Sequence, residues 1–594
     1  MKNRGSKTIA LGLTGLMAAL ELGCANTGAG DNINISSLDQ ASTAESITNT
    51  ENTDMELEIS KTIKLDLSNV QTFNDTNQDG YGEFQGWGTS LCWWANRLGY
   101  SDTLTSQAAT AFFGEKDGLG MTIGRYNIGG GDNVSDLSDA EIESLQAENP
   151  FLHKTHITRS DSVVPGYCTD VTAIDLSVNS KSYYEENFER VDYDCGFAWN
   201  YDWDADKNQM NVLKAAADAA GEDFIAEAFS NSPPYFMTVS GCSSGGVDSS
   251  VDNLREDSYT AFACYMADVI EHWHNEGIIS FQSVDPMNEP ATSYWEYSSS
   301  KQEGCHFSQG QSQSKILIAL NNELKAKGLD IILCGTDETS IDAAYMSYLN
   351  LTDEAKDVLG RIDTHTYQGT TRNSLKELAL SEGKNLWMSE VDGTYTAGSL
   401  ETGMQAALGF AGQIALDING MMPTAWIMWD AVDIHIDSDN EFDTCTRESA
   451  DEIISTGEPF WGIAIADHDS EELLLSKKYY AFGQFTKYIR PGYCIIGSDS
   501  STVAAYNPED GTIVIVAINT RAEDVKWEFD LSDFEGDTSK KTFSVTRTSG
   551  TMENGENWAD VTESVNITPS SDGKSFSAIL KESSITTFVI KASL

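Results

Sequence analysis

Between residues 86 and 429, short apolar runs alternate eight times with longer amphipathic segments, and few folds satisfy that pattern. The runs are Gly86–Ala95, Met121–Ile128, Phe224–Phe229, Phe281–Val284, Ile331–Gly335, Ile362–Tyr367, Leu386–Glu390 and Thr424–Trp429. Asn211–Gly221, Tyr259–Glu276 and Ser314–Lys327 are among the helical stretches between them. Parallel strands need a crossover of roughly a dozen residues, which a helix supplies. Eight such units in series predict an α/β fold, a (β/α)8 TIM barrel over 81–488.

Beyond Tyr488-Ile489-Arg490-Pro491-Gly492 the texture changes. Thr502–Ala505, Thr512–Ile518, Val525–Phe529, Thr542–Thr548 and Thr586–Ile590 are short, β-branched and separated by turn residues. They predict a fused C-terminal antiparallel β-sandwich over 489–594. Met55 to Leu67 also alternates apolar and polar residues, but it precedes the barrel and is not needed for its eight strands. The segment 56–80 is therefore expected to cross over and join the sandwich.

The N-terminus reads as an export signal over 1–24. Lys2, Arg4 and Lys7 precede an apolar stretch, Ile9 to Leu20, that is too short to span a bilayer. Leu22-Gly23-Cys24 resembles a bacterial lipoprotein cleavage box with Cys24 as the lipidated residue. Glu21 fits that box poorly, so ordinary signal cleavage stands beside it. Residues 25–55 are rich in Ser, Thr, Asn, Asp and Glu and read as a solvated linker. The expected location is outside the cell, secreted or held at its surface, with no membrane contact beyond an anchor at Cys24.

With 92 acidic against 37 basic residues, the net charge of −55 argues against nucleic acid as a partner, since like charges repel. The ten cysteines form no CxxC pair, and His153/His156 and His272/His274 lack carboxylate partners at a strand end. No metal or other cofactor is expected, and the chain is expected to act as a monomer.

In a barrel of this kind reactive side chains sit at the C-terminal ends of strands. The fourth run ends in Val284-Asp285-Pro286-Met287-Asn288-Glu289-Pro290 and the seventh in Trp387-Met388-Ser389-Glu390-Val391-Asp392-Gly393. Each sets a glutamate at the mouth, although either could singly be a solvated loop acid. Two facing carboxylates, one protonated and one ionised, are what glycoside hydrolysis requires. Arg125, on the second run, is suited to keeping Glu390 ionised, unless it pairs structurally with Asp132 or Asp363. His365 and Tyr367 alternate with threonines and so point into the mouth, where a core histidine is the alternative. Asn288 and Asn231 could bond sugar hydroxyls. Trp93, Trp94, Trp426 and Trp429 fall on the neighbouring first and eighth runs as candidate sugar platforms. Alternation lets only one of Trp93 and Trp94 face the mouth, and Trp429 is the favoured stacking residue.

Asn-Glu-Pro at 288–290 with Glu390 ending strand seven resembles the retaining (β/α)8 glycosidases. Within them the chain is similar to glycoside hydrolase family 30, particularly its endo-β-1,6-galactanase-like branch. The matching stretches are Gly86-Trp87-Gly88-Thr89-Ser90-Leu91-Cys92-Trp93-Trp94-Ala95, Asn231-Ser232-Pro233-Pro234-Tyr235-Phe236-Met237-Thr238 and Gly241-Cys242-Ser243-Ser244-Gly245. The resemblance covers about residues 56–594. It implies that Glu289 is the acid/base, Glu390 the nucleophile, and a β-1,6-galactan the substrate. Other activities of that family, or non-catalytic binding of a surface carbohydrate, are the alternatives. Glu289 should want an apolar or anionic neighbourhood and Glu390 hydrogen-bond donors.

Overall fold

The computed structural model describes residues 57–72, 82–131, 164–173, 190–192, 197–297, 302–392, 404–438 and 461–592, with single positions at 140, 144 and 162. The leader with Cys24, the linker and Asp132 lie outside the described residues.

Eight parallel strands close into a barrel: Gly86–Ser90, Ile123–Asn127, Ile225–Phe229, Phe281–Asp285, Ile332–Ser340, Arg361–Gln368, Asn385–Glu390 and Ala425–Asp430. Closure comes from the eighth strand pairing the first, with Ala425 opposite Gly86 and Ile427 opposite Gly88. Helices Lys207–Ala220, Tyr259–Asn275, Gln311–Lys327 and Met404–Met421 are among the crossovers. Every second residue of a strand points inward, and this stacks the interior in layers. Ile123, Trp387, Ala425 and Ile427 form an apolar floor. Glu227, Arg361 and Asp363 lie above it, with the Arg361 guanidinium 3.3 Å from the centre of the Trp387 ring. Arg125, two residues beyond Ile123, comes next.

The first strand is shorter than its apolar run. It stops at Ser90, and the chain turns so that Trp94 begins a helix, Trp94–Leu98. Trp93 and Trp94 are thus not strand residues. Trp94 is core: its indole donates to the Ser90 carbonyl at 2.8 Å and it packs edge-on against Phe112. Trp426 faces outward, packed on Phe410 and Phe482, with its indole bonded to Asp417.

The C-terminal region forms two facing sheets. Cys494–Ile496, Thr502–Tyr506, Ile513–Asn519, Ser584–Ala592, Lys541–Ser549 and Glu556–Asp560 make one, in that spatial order. Ile59–Lys64, Val525–Asp530, Ser575–Leu580 and Ile567–Pro569 make the other. The pre-barrel strand adds to this sheet in parallel, Ile63 opposite Phe529, while its neighbours are antiparallel. Phe529, Phe576 and Phe588 fill the space between the sheets. Lys477, buried on the last barrel helix, ties barrel to sandwich by donating to the carbonyls of Ser549 and Glu556, each at 2.9 Å.

Candidate active site

The fourth and seventh strands carry Glu289 and Glu390 to one end of the barrel. A carboxylate oxygen of each and a ring nitrogen of His365 all lie within 4.8 Å of one another. His365 comes from the sixth strand, as its alternation predicts. Its Nδ1 is 3.1 Å from Glu289 Oε1 and 3.5 Å from Glu390 Oε1, and its Nε2 is 3.2 Å from Asp337 Oδ1. Tyr367, two residues on, donates to Glu390 Oε1 at 3.2 Å.

Arg125 anchors this array from below. It is fully buried, with Nε 2.7 Å from Glu227, one terminal nitrogen 2.9 Å from Asp337 and the other 3.5 Å from Glu390 Oε2. Arg125 has no exposed surface, and besides Glu390 it pairs with Glu227 and Asp337; Asp363 pairs instead with Arg361, and Asp132 lies outside the described residues. Phe229 covers its other face, with the ring centre 4.2 Å from the guanidinium carbon. Its tie to Glu390 is present.

Opposing forces set the charges. Burial raises Glu390 to about 7, as does Glu289, while His365 and Arg125 pull it down. Burial opposes a charge on His365, but Glu390 and Asp337 outweigh it and hold the imidazole well above its ordinary range. Burial likewise works to raise Asp337, yet Arg125 and His365 keep it below the carboxylate range. Glu289 has the carboxylate of Glu390 beside it and is also held by two hydrogen-bonding side chains, His365 on Oε1 and Tyr294 on Oε2.

The chain wraps Glu289 tightly. Its φ of 47° lies in the left-handed region, where a non-glycine residue is strained. Its N–H donates to the Asp337 carbonyl at 2.8 Å, and its own carbonyl accepts from Thr292 at 2.8 Å and the Trp295 indole at 3.1 Å. Trp295 sits in a slot that needs glycine on both sides. A Cβ at Gly304 would lie 2.2 Å from its ring, and one at Gly245 would lie 2.4 Å from its backbone. Gly245 thereby gains a physical reason within the Gly241–Gly245 motif.

Around the carboxylates lie groups suited to a sugar. The Asn288 Oδ1 and both amide atoms of Asn231 are buried with no hydrogen-bond partner among the described residues. Such atoms are costly unless a ligand or water completes them. Trp93 and Trp429 pack edge to face with centroids 4.8 Å apart, joined by Phe229 and Trp461. Of the first-run tryptophans it is Trp93 that joins the mouth. Tyr294, Asp337, Glu227 and Trp461 were not foreseen; the last three depend on contacts distant in sequence, and Tyr294 lies on an irregular loop five residues after Glu289.

Two further groups of acids could in principle bind a cation: Asp285–Asp337–Asp363 and Glu227–Cys334–Asp363. In both, guanidinium groups of Arg125 or Arg361 already occupy carboxylate oxygens, so a second cation would meet positive charge. In the Glu289–His365–Glu390 group the three side chains engage one another.

A family model described as O-Glycosyl hydrolase family 30 matches residues 174–362. The chain is similar to an endo-beta-1,6-galactanase of Hypocrea rufa, with 30% identity over 453 residues, 74% of this chain and 79% of that protein. It is also similar to an exo-beta-1,6-galactobiohydrolase of Bifidobacterium longum subsp. longum. There the identity is 28% over 474 residues, covering 67% of this chain and 29% of that protein. Among solved structures, the catalytic domain of the family 30 xylanase C from Talaromyces cellulolyticus superposes with a TM-score of 0.59. At 18% identity, over 90% of this chain and 100% of that one, this likeness concerns the fold.

Proposed function

The chain belongs to glycoside hydrolase family 30, and from that premise we propose that it cleaves β-1,6-linked galactan internally, with retention of configuration. The observation that carries the mechanism is the spacing of Glu289 and Glu390. Carboxylates in contact through one imidazole fit the ~5–5.5 Å separation of a retaining pair and leave no room for the water of an inverting one, which needs ~6.5–9.5 Å.

Glu390 is the nucleophile: its carboxylate attacks the anomeric carbon and forms a glycosyl ester. Glu289 gives its proton to the departing oxygen in that step. It then takes a proton from the water that attacks the ester and frees Glu390. Arg125 and Tyr367 stabilise the charge on Glu390 both before attack and as it leaves again. Asn288 and Asn231 offer their unfilled polar atoms to ring hydroxyls, and Trp93 and Trp429 wall the sugar. Galactan is favoured over other β-glycans by the Hypocrea rufa relative, which matches over most of both chains.

The reading extends to place. The leader and Cys24 support export to the outer surface, as a lipoprotein or after ordinary cleavage, and the enzyme acts there as a monomer.

Purified enzyme offered β-1,6-galactan, β-1,6-glucan and xylan is expected to release a ladder of β-1,6-galacto-oligosaccharides from the first alone. Galactobiose as the sole early product would replace internal cleavage by exo action, which the Bifidobacterium relative makes the specific second reading. Turnover of glucan or xylan with galactan untouched would remove the substrate assignment.

A further inference from the structure

Two side chains hold the carboxylate of Glu289, and they do so from opposite sides. His365, fully buried, takes Oε1 from inside the barrel. Tyr294 takes Oε2 in a part-buried contact, and the residue as a whole is 43% exposed. Oε1 is engaged by a fully buried side chain and Oε2 by one that reaches the surface, which favours Oε2 as the atom that carries the proton for the leaving group.

We propose that Tyr294 is a positioning residue of the acid/base: its hydroxyl aims the outward oxygen of Glu289 at the leaving-group oxygen, and its ring borders the subsite of the departing sugar. The proposal rests on the acid/base role given to Glu289. In the transferring step, the Oε2–H bond breaks as the proton passes to the glycosidic oxygen. The electron pair of the anomeric C–O bond leaves with that oxygen, and the phenol keeps its own proton throughout.

The loop is built to hold such an aim. Thr292 and Trp295 bond the Glu289 carbonyl from either side of Tyr294 in sequence, and Gly245 and Gly304 confine Trp295. Gly246 clips the loop twice more, donating to the Trp295 carbonyl and accepting from the Tyr297 N–H, each at 3.0 Å. The phenol therefore approaches the carboxylate from a fixed base, and the edge of the Tyr294 ring rests against Trp295 with centroids 4.6 Å apart. Fixed aim matters because small misplacements of a reacting group cost large factors in rate.

The test is a series of aryl β-glycosides of graded leaving-group acidity, built on whichever sugar the wild type turns over, with kcat/KM measured for wild type, Tyr294→Phe and Glu289→Gln. A poor leaving group depends on the proton and a good one does not. Tyr294→Phe is expected to lose about tenfold or more on the poorest leaving group and less than about twofold on the best. A uniform loss across the series, or none, would overturn the proposal and leave Tyr294 a structural residue. Glu289→Gln separates the two claims. If it too lost activity uniformly, the acid/base assignment would fall, and the role of Tyr294 with it. A graded loss in Glu289→Gln beside a flat Tyr294→Phe would overturn the Tyr294 proposal alone. Because the series uses any sugar that is turned over, a wrong galactan assignment would leave the test intact.

Discussion

Glu390→Ala is expected to lower kcat/KM on the order of 10³-fold or more, and Glu289→Ala to do the same on polysaccharide. The two losses differ in kind. Without Glu390 no ester can form, so the defect persists however good the leaving group is. Without Glu289 an activated aryl glycoside still loads the enzyme, because its leaving group needs no proton. Added azide should then distinguish the empty places. In Glu390→Ala it fits the space beside Arg125 and Tyr367, attacks from the nucleophile's side and gives an α-glycosyl azide. In Glu289→Ala it attacks the ester from the opposite face and gives the β-azide. Product configuration by NMR reads the outcome, and the same azide anomer from both variants would contradict the assignment of roles.

Arg125→Met is the second large effect, and here stability falls with activity. The guanidinium bridges Glu227, Asp337 and Glu390 in a fully buried place. Its removal leaves carboxylates facing one another with no water to screen them. Breaking such a buried pair costs about 3–5 kcal/mol, to be seen as a lower denaturation midpoint. Arg125→Lys keeps a charge but cannot fork to three partners, so it should recover part of the loss. An unfolding free energy for Arg125→Met within about 1 kcal/mol of wild type would mean the network is not what holds the barrel's upper layer.

The same variant makes a prediction about pH. Glu390 must be ionised to attack, and in the intact protein burial raises it to about 7 while His365 and Arg125 pull it down. Activity therefore falls as pH drops through the neutral range. Removing a cation disfavours the charged form, so the acid limb of kcat/KM should move to higher pH in Arg125→Met. A limb that stayed in place would show that Arg125 does not act on Glu390.

The barrel was readable because each strand is buried on both faces and each helix on one, which writes two different periods into the sequence. Glu390 was readable because it ends such a strand, and Glu289 because it follows one by four residues. His365 and Tyr367 followed from alternation alone. The first strand misled because apolar character continues past Ser90, although the chain has already turned: Cys92 and Trp93 go to the mouth and Trp94 to the helix layer. Trp426 misled in another way, since strand register assigns it to the outer face. The ion network escaped because Arg125, Glu227, Asp337 and Arg361 sit on four strands, and nothing local to any of them names its partners. Asp337 lies just past the apolar run of the fifth strand but within the strand itself, Ile332–Ser340, so nothing in the sequence marks it as a strand-end acid like Glu390. Tyr294 lies on the loop after Glu289, where no periodicity operates.

The most direct measurement is the anomeric configuration of the first product, followed by NMR within seconds of mixing wild-type enzyme and β-1,6-galactan oligosaccharide, before mutarotation. Two displacements on carboxylates as close as Glu289 and Glu390 invert the centre twice, so the β anomer should appear first and the α anomer only as it equilibrates. An α anomer formed first would mean a single displacement by water, and the account of this site as a retaining pair would be contradicted.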